Sequence, residues 1–244
     1  MKVAILGATG GIGAALVNLL ATNKAVDSVF ATFFSTSINS KLLPAATIDT
    51  TVEVHWSRVD ATDEQNIEQW LTDVGQLDWI INCVGMLHER HRGPEKSIRS
   101  FQSDHFSQSM MVNCLPTLLL AKYAAQALKS SDRGVFATVS ARVGSIQDNR
   151  LGGWYSYRAS KAALNMVLKT LSIEWNRTLR NTRVLALHPG TTDSKLSEPF
   201  QKNLPEGQVF TPEKTAGLLL RQIESAHQYP SGRFIAYGGE EIPW

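Results

Sequence analysis

Short apolar segments alternate with segments of helical periodicity from residue 1 to about residue 190. Several of the apolar segments are hydrophobic on both faces, which is typical of parallel strands that helices cover on either side. The pattern predicts seven strands, at 2–6, 28–34, 52–59, 77–85, 134–140, 183–190 and 232–237. It predicts helices near 12–22, 63–73, 109–130, 157–179 and 212–226.

Strands and helices that alternate in this way predict an α/β fold, with a doubly wound, mostly parallel sheet and helices on both faces. No internal repeat or low-complexity linker divides the chain, and 244 residues are enough for one large domain. We therefore expect a single Rossmann-like domain over residues 1–244. Segment 191–211 is polar and rich in Pro and Gly, so it predicts a long mobile loop that closes over a substrate.

Composition excludes several classes of protein. The chain is 43% hydrophobic and 19% charged, as expected of a globular protein, and its net charge of +2 gives no case for nucleic acid or a membrane surface. The N-terminus is too short in apolar residues for a signal peptide, and no apolar run suggests a membrane span, so we expect a cytoplasmic protein. The two cysteines, Cys83 and Cys114, fit small core positions, and no Cys or His pair has metal-ligand spacing.

A glycine-rich turn, "GATGGIG", follows the first predicted strand and precedes the first helix. Glycine permits a tight turn and lets a phosphate approach the N–H groups at a helix N-terminus. Gly7, Gly10, Gly11 and Gly13 fit either of two glycine spacings, and neither is the plain G-x-G-x-x-G pattern. We interpret this turn as a dinucleotide-binding site, with a purely structural turn as the alternative.

The end of the second strand indicates which dinucleotide binds. NAD sites usually place an acid there for the ribose 2′-OH, but Phe33, Phe34 and Ser35 offer none. Ser35 or Thr36 could hydrogen-bond to a 2′-phosphate, although no arginine follows the strand. The sequence therefore favours NADP, with NAD possible.

The segment "GGWYSYRASKAALN" places Tyr157 and Lys161 four residues apart. On a helix, side chains at this spacing project from one face. Small residues surround the pair and leave room for a large ligand. A chance pair on a surface helix is the alternative interpretation.

Taken together, these segments resemble the short-chain dehydrogenase/reductase family. The glycine turn, "NCVG" at 82–85, "YRASK" at 157–161 and "HPGTTDS" at 188–194 follow that family's order and spacing over essentially the whole chain. "GSIQDN", "SYRASKAALN" and "GGEEIPW" are similar to the C-factor-like branch, which includes small carbonyl reductases and a bacterial protein tied to cell–cell signalling.

The resemblance implies an NAD(P)-dependent oxidoreductase of the carbonyl reductase or alcohol dehydrogenase type. It implies that Tyr157 protonates the substrate oxygen as hydride arrives from the cofactor. Lys161 would bind the nicotinamide ribose and favour the Tyr157 phenolate, and Asn113 would hold a water that links Lys161 to solvent. We expect a small carbonyl or alcohol substrate against Leu87, Trp154, Leu196 and Phe200.

The same resemblance implies a set of cofactor-binding positions. They are Gly7, Gly10, Gly11, Ile12, Gly13, Ser35, Asp60, Asn82, Gly85, Pro189, Gly190, Thr192 and Ser194, together with Tyr157 and Lys161. Asp60 fits an adenine contact and a turn residue before a helix equally well. The family's usual subunit pairing implies a homodimer or homotetramer.

The chain departs from the family at the end of the fifth strand. The family has a serine pair there, whose second member binds the substrate carbonyl, whereas this chain reads "TVSARVGSI". The expected serine is Ala141, and Ser140, the catalytic candidate, comes one residue early. Ser145 is a further source of a hydroxyl.

This departure leaves a second interpretation open, a nucleotide-binding signalling or sensor protein with little turnover. The alternative glycine spacing also fits the longer epimerase/dehydratase branch, but the chain is short for a second substrate domain.

Overall fold

A computed structural model describes residues 1–34, 52–89, 92–203, 205 and 207–244. The described strands are β1 (Lys2–Leu6), β2 (Ser28–Phe33), β3 (Glu53–Arg58), β4 (Trp79–Asn82), β5 (Gly134–Val139), β6 (Thr182–His188), β7 (Thr191–Thr192), β8 (Val209–Phe210) and β9 (Arg233–Ala236). Seven of them form a sheet in the order β3-β2-β1-β4-β5-β6-β9. All its neighbouring strands are parallel, which confirms the predicted sheet.

Helices cover both faces of the sheet. They are α1 (Gly11–Ala21), α2 (Glu64–Val74), α3 (Ser103–Asn113), α4 (Leu115–Leu128), α5 (Tyr155–Thr178) and α6 (Pro212–Glu224). Buried residues of β1 alternate between two cores. Val3 and Ile5 pack with α1 and α6, whereas Ala4 and Leu6 pack with α2, α4 and α5. None of the described helices is long and apolar enough to cross a membrane.

The strand order reverses at β1, and this reversal fixes the position of the site. The chain moves outward from β1 to β2 and β3, and then returns to the other side of β1 for β4. Leu6 at the end of β1 is in register with Asn82 at the end of β4. Loops that leave these two ends in opposite directions open a crevice, where doubly wound proteins bind ligands.

Two predictions differ from the structure. The helix predicted over 109–130 is two helices, α3 and α4, because Pro116 in the first turn of α4 has no N–H to continue a helix from α3. Segment 191–211 is not a plain loop. It contains β7 and β8, which pair with each other, and a short 3-10 helix at Glu198–Asn203. That it is a mobile substrate loop stays a prediction.

The turn between β1 and α1 depends on two glycines. Gly7 has a φ of +77°, which side chains disfavour, and a Cβ on it would lie 2.9 Å from Val84 Cγ2. A Cβ on Gly13 would lie 2.4 Å from the Gly7 carbonyl oxygen and 2.9 Å from Ala8 Cα. Glycine at position 13 therefore allows α1 to pack directly on the turn.

We expect Gly13→Ala to lower the free energy of unfolding by about 1–3 kcal/mol, because the added methyl meets backbone that cannot move aside. Gly217→Ala is the matched control. Its Cβ in α6 meets nothing within 4 Å, so removing a helical glycine there should stabilise the protein by up to about 1 kcal/mol. Urea unfolding measures both. Equal stabilities for the two variants would contradict the steric explanation.

Candidate functional site

Two adjoining cavities occupy the crevice at the carboxyl ends of the strands. The larger, of about 710 Å³, is lined by the predicted site residues Ile12, Gly85, Ser140, Tyr157, Lys161, Pro189, Gly190, Thr192 and Ser194. The smaller, of about 360 Å³, lies over the ends of β1 and β2 and is lined by Gly7, Gly10, Asp60 and Gly85. They share Cys83, Val84 and Gly85. Asn82 and Asn113 lie behind the cavity walls, and Ser35 is outside the described residues.

The first turn of α1 faces this crevice with its backbone N–H groups. Gly10 is the N-cap and has no side chain to accept from them, so the N–H groups at the start of the helix remain available to an anion. Gly11 brings the helix close to the segment after β7, since a Cβ on it would lie 3.4 Å from Ser194 Cβ. This geometry fits a phosphate group.

Tyr157 and Lys161 lie side by side on α5, as their spacing predicts. Both side chains are buried, with 7% and 2% of their surfaces exposed, yet both line the larger cavity. Lys161 Nζ donates to the Val139 carbonyl oxygen at 3.1 Å and lies 5.9 Å from the centre of the Tyr157 ring. The Tyr157 hydroxyl makes no hydrogen bond to any part of the chain that the structure describes. It is therefore free to donate into the cavity.

Burial dominates the protonation of this pair. It raises the pKa of Tyr157 above its usual value of about 10 and lowers the pKa of Lys161 to about 8. The sequence predicted that the lysine would favour the phenolate, whereas burial favours the neutral phenol and sets the direction of the Tyr157 pKa shift. The phenol therefore carries its proton at neutral pH.

Asn113 ends α3 beside this pair, and its side chain holds the wall of the crevice. Its Oδ1 accepts from Met86 N at 2.7 Å, and its Nδ2 donates to Met86 O at 2.8 Å and Ser160 Oγ at 2.9 Å. A Cβ on Gly85 would lie 3.5 Å from both Asn113 Oδ1 and Lys161 Nζ, so both groups lie beside that glycine. The helix break also directs the Thr117 N–H to Cys114 O rather than to the Asn113 carbonyl.

The hydroxyl groups of both candidate serines form hydrogen bonds within the protein. Ser140 Oγ donates its hydrogen to Asn165 Oδ1 at 2.6 Å, and Ser145 Oγ donates to the Pro243 carbonyl and accepts from Asp148 N. Ala141 lines the larger cavity with no hydroxyl. A catalytic role for Ser140 stays a prediction, and it would require Ser140 to release Asn165.

Asn82 and Asp60 use their side chains within their own loops. Asn82 Nδ2 donates to Thr117 Oγ1 at 3.0 Å, and its Oδ1 accepts from Val84 N at 2.9 Å, so it fixes the turn that carries Gly85. Asp60 Oδ1 accepts from the Thr62 N–H and hydroxyl before α2, while the residue lines the smaller cavity. Both interpretations of Asp60 therefore agree with its position.

Cys83 lies where the two cavities meet. Burial raises the pKa of its thiol to about 12, so the thiol is protonated. The sequence predicted a core position for Cys83, but it is only partly buried and lines both cavities. Both cysteines are free. The described residues contain no group of His, Cys, Asp or Glu that could hold a metal ion.

Trp154 has a strained backbone that the sequence analysis did not anticipate. It follows Gly152 and Gly153 in the left-handed region, with a φ of 53°, a conformation that costs a non-glycine residue roughly 1–2 kcal/mol. Its ring packs edge-on against Tyr157, at 6.2 Å between centroids, and lies 5.2 Å from Phe200. In the sequence, only the glycine pair before α5 indicated an unusual backbone conformation at this turn.

Glu95 fixes that strained turn. Its carbonyl oxygen accepts from Trp154 N at 2.6 Å, and its buried carboxylate accepts from Ser156 N at 3.2 and 3.3 Å and from the Ser156 hydroxyl. Burial is the largest single influence and opposes ionisation of Glu95, but the hydrogen bonds from Ser156, the Glu95 backbone and the nearby His105 together hold the pKa of Glu95 below its usual value. One residue thus binds both ends of the turn that precedes Tyr157.

A glycine turn open to an anion and a crevice at the strand reversal are the features of a dinucleotide-binding α/β domain. In this chain a buried Tyr–Lys pair lines that crevice. A family model described as short chain dehydrogenase matches residues 1–205. The chain belongs to the short-chain dehydrogenase/reductase family, a family of oxidoreductases.

Relatives and solved structures support this assignment. The 1-hydroxy-2-glutathionyl-2-methyl-3-butene dehydrogenase of Rhodococcus sp. (strain AD45) is 30% identical over 76% of this chain and 78% of that protein. The C-signal of Myxococcus xanthus is 32% identical over 70% of this chain and 94% of that protein, which confirms the likeness to the C-factor branch. The NADPH-bound carbonyl reductase from chicken fatty liver has the same fold, with a TM-score of 0.83 and 24% identity over 100% of this chain and 98% of that one.

We expect Glu95→Ala to lower the free energy of unfolding by about 1–3 kcal/mol, because the Ser156 donors lose a buried acceptor. Amide hydrogen exchange should accelerate at residues 154–158. Asp63→Ala, which removes the N-cap of α2, is the control, and it should cost about 1 kcal/mol while leaving exchange at the start of α5 unchanged. Unchanged exchange in Glu95→Ala would show that the turn holds its shape without this carboxylate.

Proposed function

We propose that the protein is an NADP(H)-dependent carbonyl reductase whose proton donor is Tyr157. The observation that carries this proposal is the Tyr157 hydroxyl, which is unpaired among the described residues and faces the larger cavity one helical turn from Lys161. A bound reduced dinucleotide supplies the hydride.

Tyr157 gives its proton to the substrate oxygen while the hydride adds to the carbonyl carbon, so the C=O double bond becomes an alcohol. The raised pKa of the free phenol keeps the proton in place until the substrate oxygen takes on negative charge. Lys161 lies beside the phenol, and its positive charge stabilises the phenolate left after transfer.

The proton is restored through the lysine. The Asn113 carbonyl, released from its helical donor by the break before α4, offers an acceptor for a water near Lys161. That water would connect the lysine to solvent, the role that the resemblance gives to Asn113.

The preference for NADP rests on the end of β2 and on the related structure. Phe33 ends this strand and Phe34 follows it, and neither brings a carboxylate that would repel a 2′-phosphate. The chicken carbonyl reductase, which shares the fold, holds NADPH. The first turn of α1 would hold the pyrophosphate, with Gly190 and Thr192 beside the nicotinamide.

The substrate is a small apolar carbonyl compound. Leu87, Trp154, Leu196 and Phe200, the apolar candidates of the sequence, line the larger cavity together with Tyr157 and support this proposal. His88 connects the loop after β4 to the segment after β7. Its Nε2 lies 3.0 Å from the Lys195 carbonyl oxygen, and its ring packs against Phe200. An aromatic or aliphatic body would fit against this wall.

A signalling protein with little turnover is the second candidate. The similarity to the C-signal of Myxococcus xanthus favours it, and so does Ala141, which offers no second donor to the substrate oxygen. It predicts nucleotide binding without carbonyl reduction.

A homodimer or homotetramer would use the helices that carry the site. Met111, Leu118, Met166 and Ile173 expose apolar side chains on α3, α4 and α5, a surface that a second subunit would cover. Light scattering in solution measures the number of subunits, and a monomer would exclude this arrangement.

We expect Tyr157→Phe to bind NADPH as the parent does while reducing carbonyl compounds about 100-fold more slowly or worse, because the proton donor is gone. NADPH fluorescence titration measures binding, and NADPH consumption with a panel of aromatic and aliphatic aldehydes measures turnover. Binding without turnover in the parent would favour the signalling candidate. A variant as active as the parent would exclude Tyr157 as the donor.

We expect Ala141→Ser to raise kcat, by up to about 100-fold, because it adds a hydroxyl donor at the cavity wall. Ser140→Ala, which removes the hydroxyl held by Asn165, should change kcat by less than about tenfold if that hydroxyl never reaches the substrate. Steady-state kinetics on one aldehyde compare the two. A large loss in Ser140→Ala with no gain in Ala141→Ser would show that Ser140 is the catalytic serine.

A further inference from the structure

Arg58 places a positive charge at the end of β2 although it belongs to another strand. It is the last residue of β3, the edge strand of the sheet, and it is in register with Phe33 at the end of β2. Its Nε donates to the Phe34 carbonyl oxygen at 3.3 Å. The guanidinium group therefore lies over the carboxyl end of β2, where the sequence alone shows no arginine.

The Arg58 guanidinium has N–H donors that its bond to Phe34 does not use. The bond to Phe34 uses only Nε, and an arginine carries four more N–H donors on its terminal nitrogens. Arg58 is exposed and forms no ion pair with any residue in the described part of the chain. The nearest acid in sequence, Asp60, accepts from Thr62 with its Oδ1. Among the described residues no acid neutralises this cation, which lies beside Phe34 at the end of β2.

The neighbouring cavity is the one that fits the adenosine half of a dinucleotide. It lies over the ends of β1 and β2, and Phe34, whose carbonyl oxygen holds Arg58, lines it together with Gly10 and Asp60. In doubly wound dinucleotide sites, the end of the second strand meets the 2′ position of the adenosine ribose. NADP carries a phosphate at this position and NAD a hydroxyl group.

We propose that Arg58 binds the 2′-phosphate of NADP and so makes the protein prefer NADP over NAD. The bond from Nε to Phe34 O orients the planar guanidinium, and its terminal N–H groups form charge-assisted hydrogen bonds to the phosphate oxygens. This inference rests on the proposed NADP(H) cofactor, but it concerns only how the chain distinguishes the two nucleotides.

The test is Arg58→Gln, which removes the charge from an exposed side chain. Fluorescence titration gives the Kd of NADPH and of NADH, and calorimetry gives the Kd of adenosine 2′,5′-bisphosphate and of AMP. We expect the variant to bind NADPH and the bisphosphate about 10- to 100-fold more weakly, the loss expected for charge-assisted hydrogen bonds. NADH and AMP should bind as in the parent.

Arg133→Gln is the matched control, since it makes the same change of charge next to Gly134, at the opposite end of the sheet. It should leave the Kd of all four ligands unchanged. Arg58→Lys keeps the charge but loses the planar fork, so it should bind NADPH with intermediate affinity. In the parent, added salt should weaken NADPH binding more than NADH binding.

Equal loss of NADPH and NADH binding in Arg58→Gln would overturn the proposal, because Arg58 would then only support the strand ends. The same conclusion follows if Arg58→Gln weakens NADPH binding no more than Arg133→Gln does, or if salt affects both nucleotides alike. A parent protein that binds neither nucleotide would instead overturn the proposed function itself.

Discussion

The buried amino group of Lys161 is the constraint on which the site depends. Removing this group from water lowers its pKa to about 8, so the surrounding chain must supply polar contacts and space. The Val139 carbonyl oxygen, at the end of β5, supplies the contact. Two glycines lie against this residue. A Cβ on Gly144 would lie 2.8–2.9 Å from the backbone and Cβ of Lys161, so this glycine lets its loop pack directly on α5, and a Cβ on Gly85 would lie 3.5 Å from Nζ. Two loops and one strand therefore close around a single side chain.

Local signals allowed much of this structure to be predicted. The parallel sheet, the glycine turn and the Tyr–Lys pair each depend on residues that are close in sequence, and their positions agree with the structure. Contacts between residues far apart in sequence were not predicted, because no local signal reports them. Arg58 reaches Phe34 only through the register of β3 on β2, 24 residues away in sequence. The 2.6 Å bond from Ser140 to Asn165 likewise joins residues 25 positions apart and depends on how α5 packs against the sheet.

The helix break between α3 and α4 shows that hydrophobic periodicity alone does not locate helix boundaries. Apolar residues continue across Cys114, so periodicity alone predicts one helix over 109–130. Pro116 indicates a new helix start, because proline is tolerated only in the first turn of a helix. The break places Asn113 at a helix end, where its carbonyl loses the Thr117 N–H as a donor and its side chain binds Met86 and Ser160. A local irregularity thus coincides with a position that the proposed mechanism uses.

Glu95 joins the loop before α3 to the turn before α5, since one residue binds both Trp154 N and Ser156. The aromatic wall of the cavity and the first turn of α5 are consequently one mechanical unit. A ligand too wide for the space beside Trp154 cannot push the indole aside without also displacing Tyr157, which follows three residues later. In the proposed mechanism Tyr157 is the proton donor, so a substrate that fits poorly beside Trp154 would meet a displaced donor and react slowly.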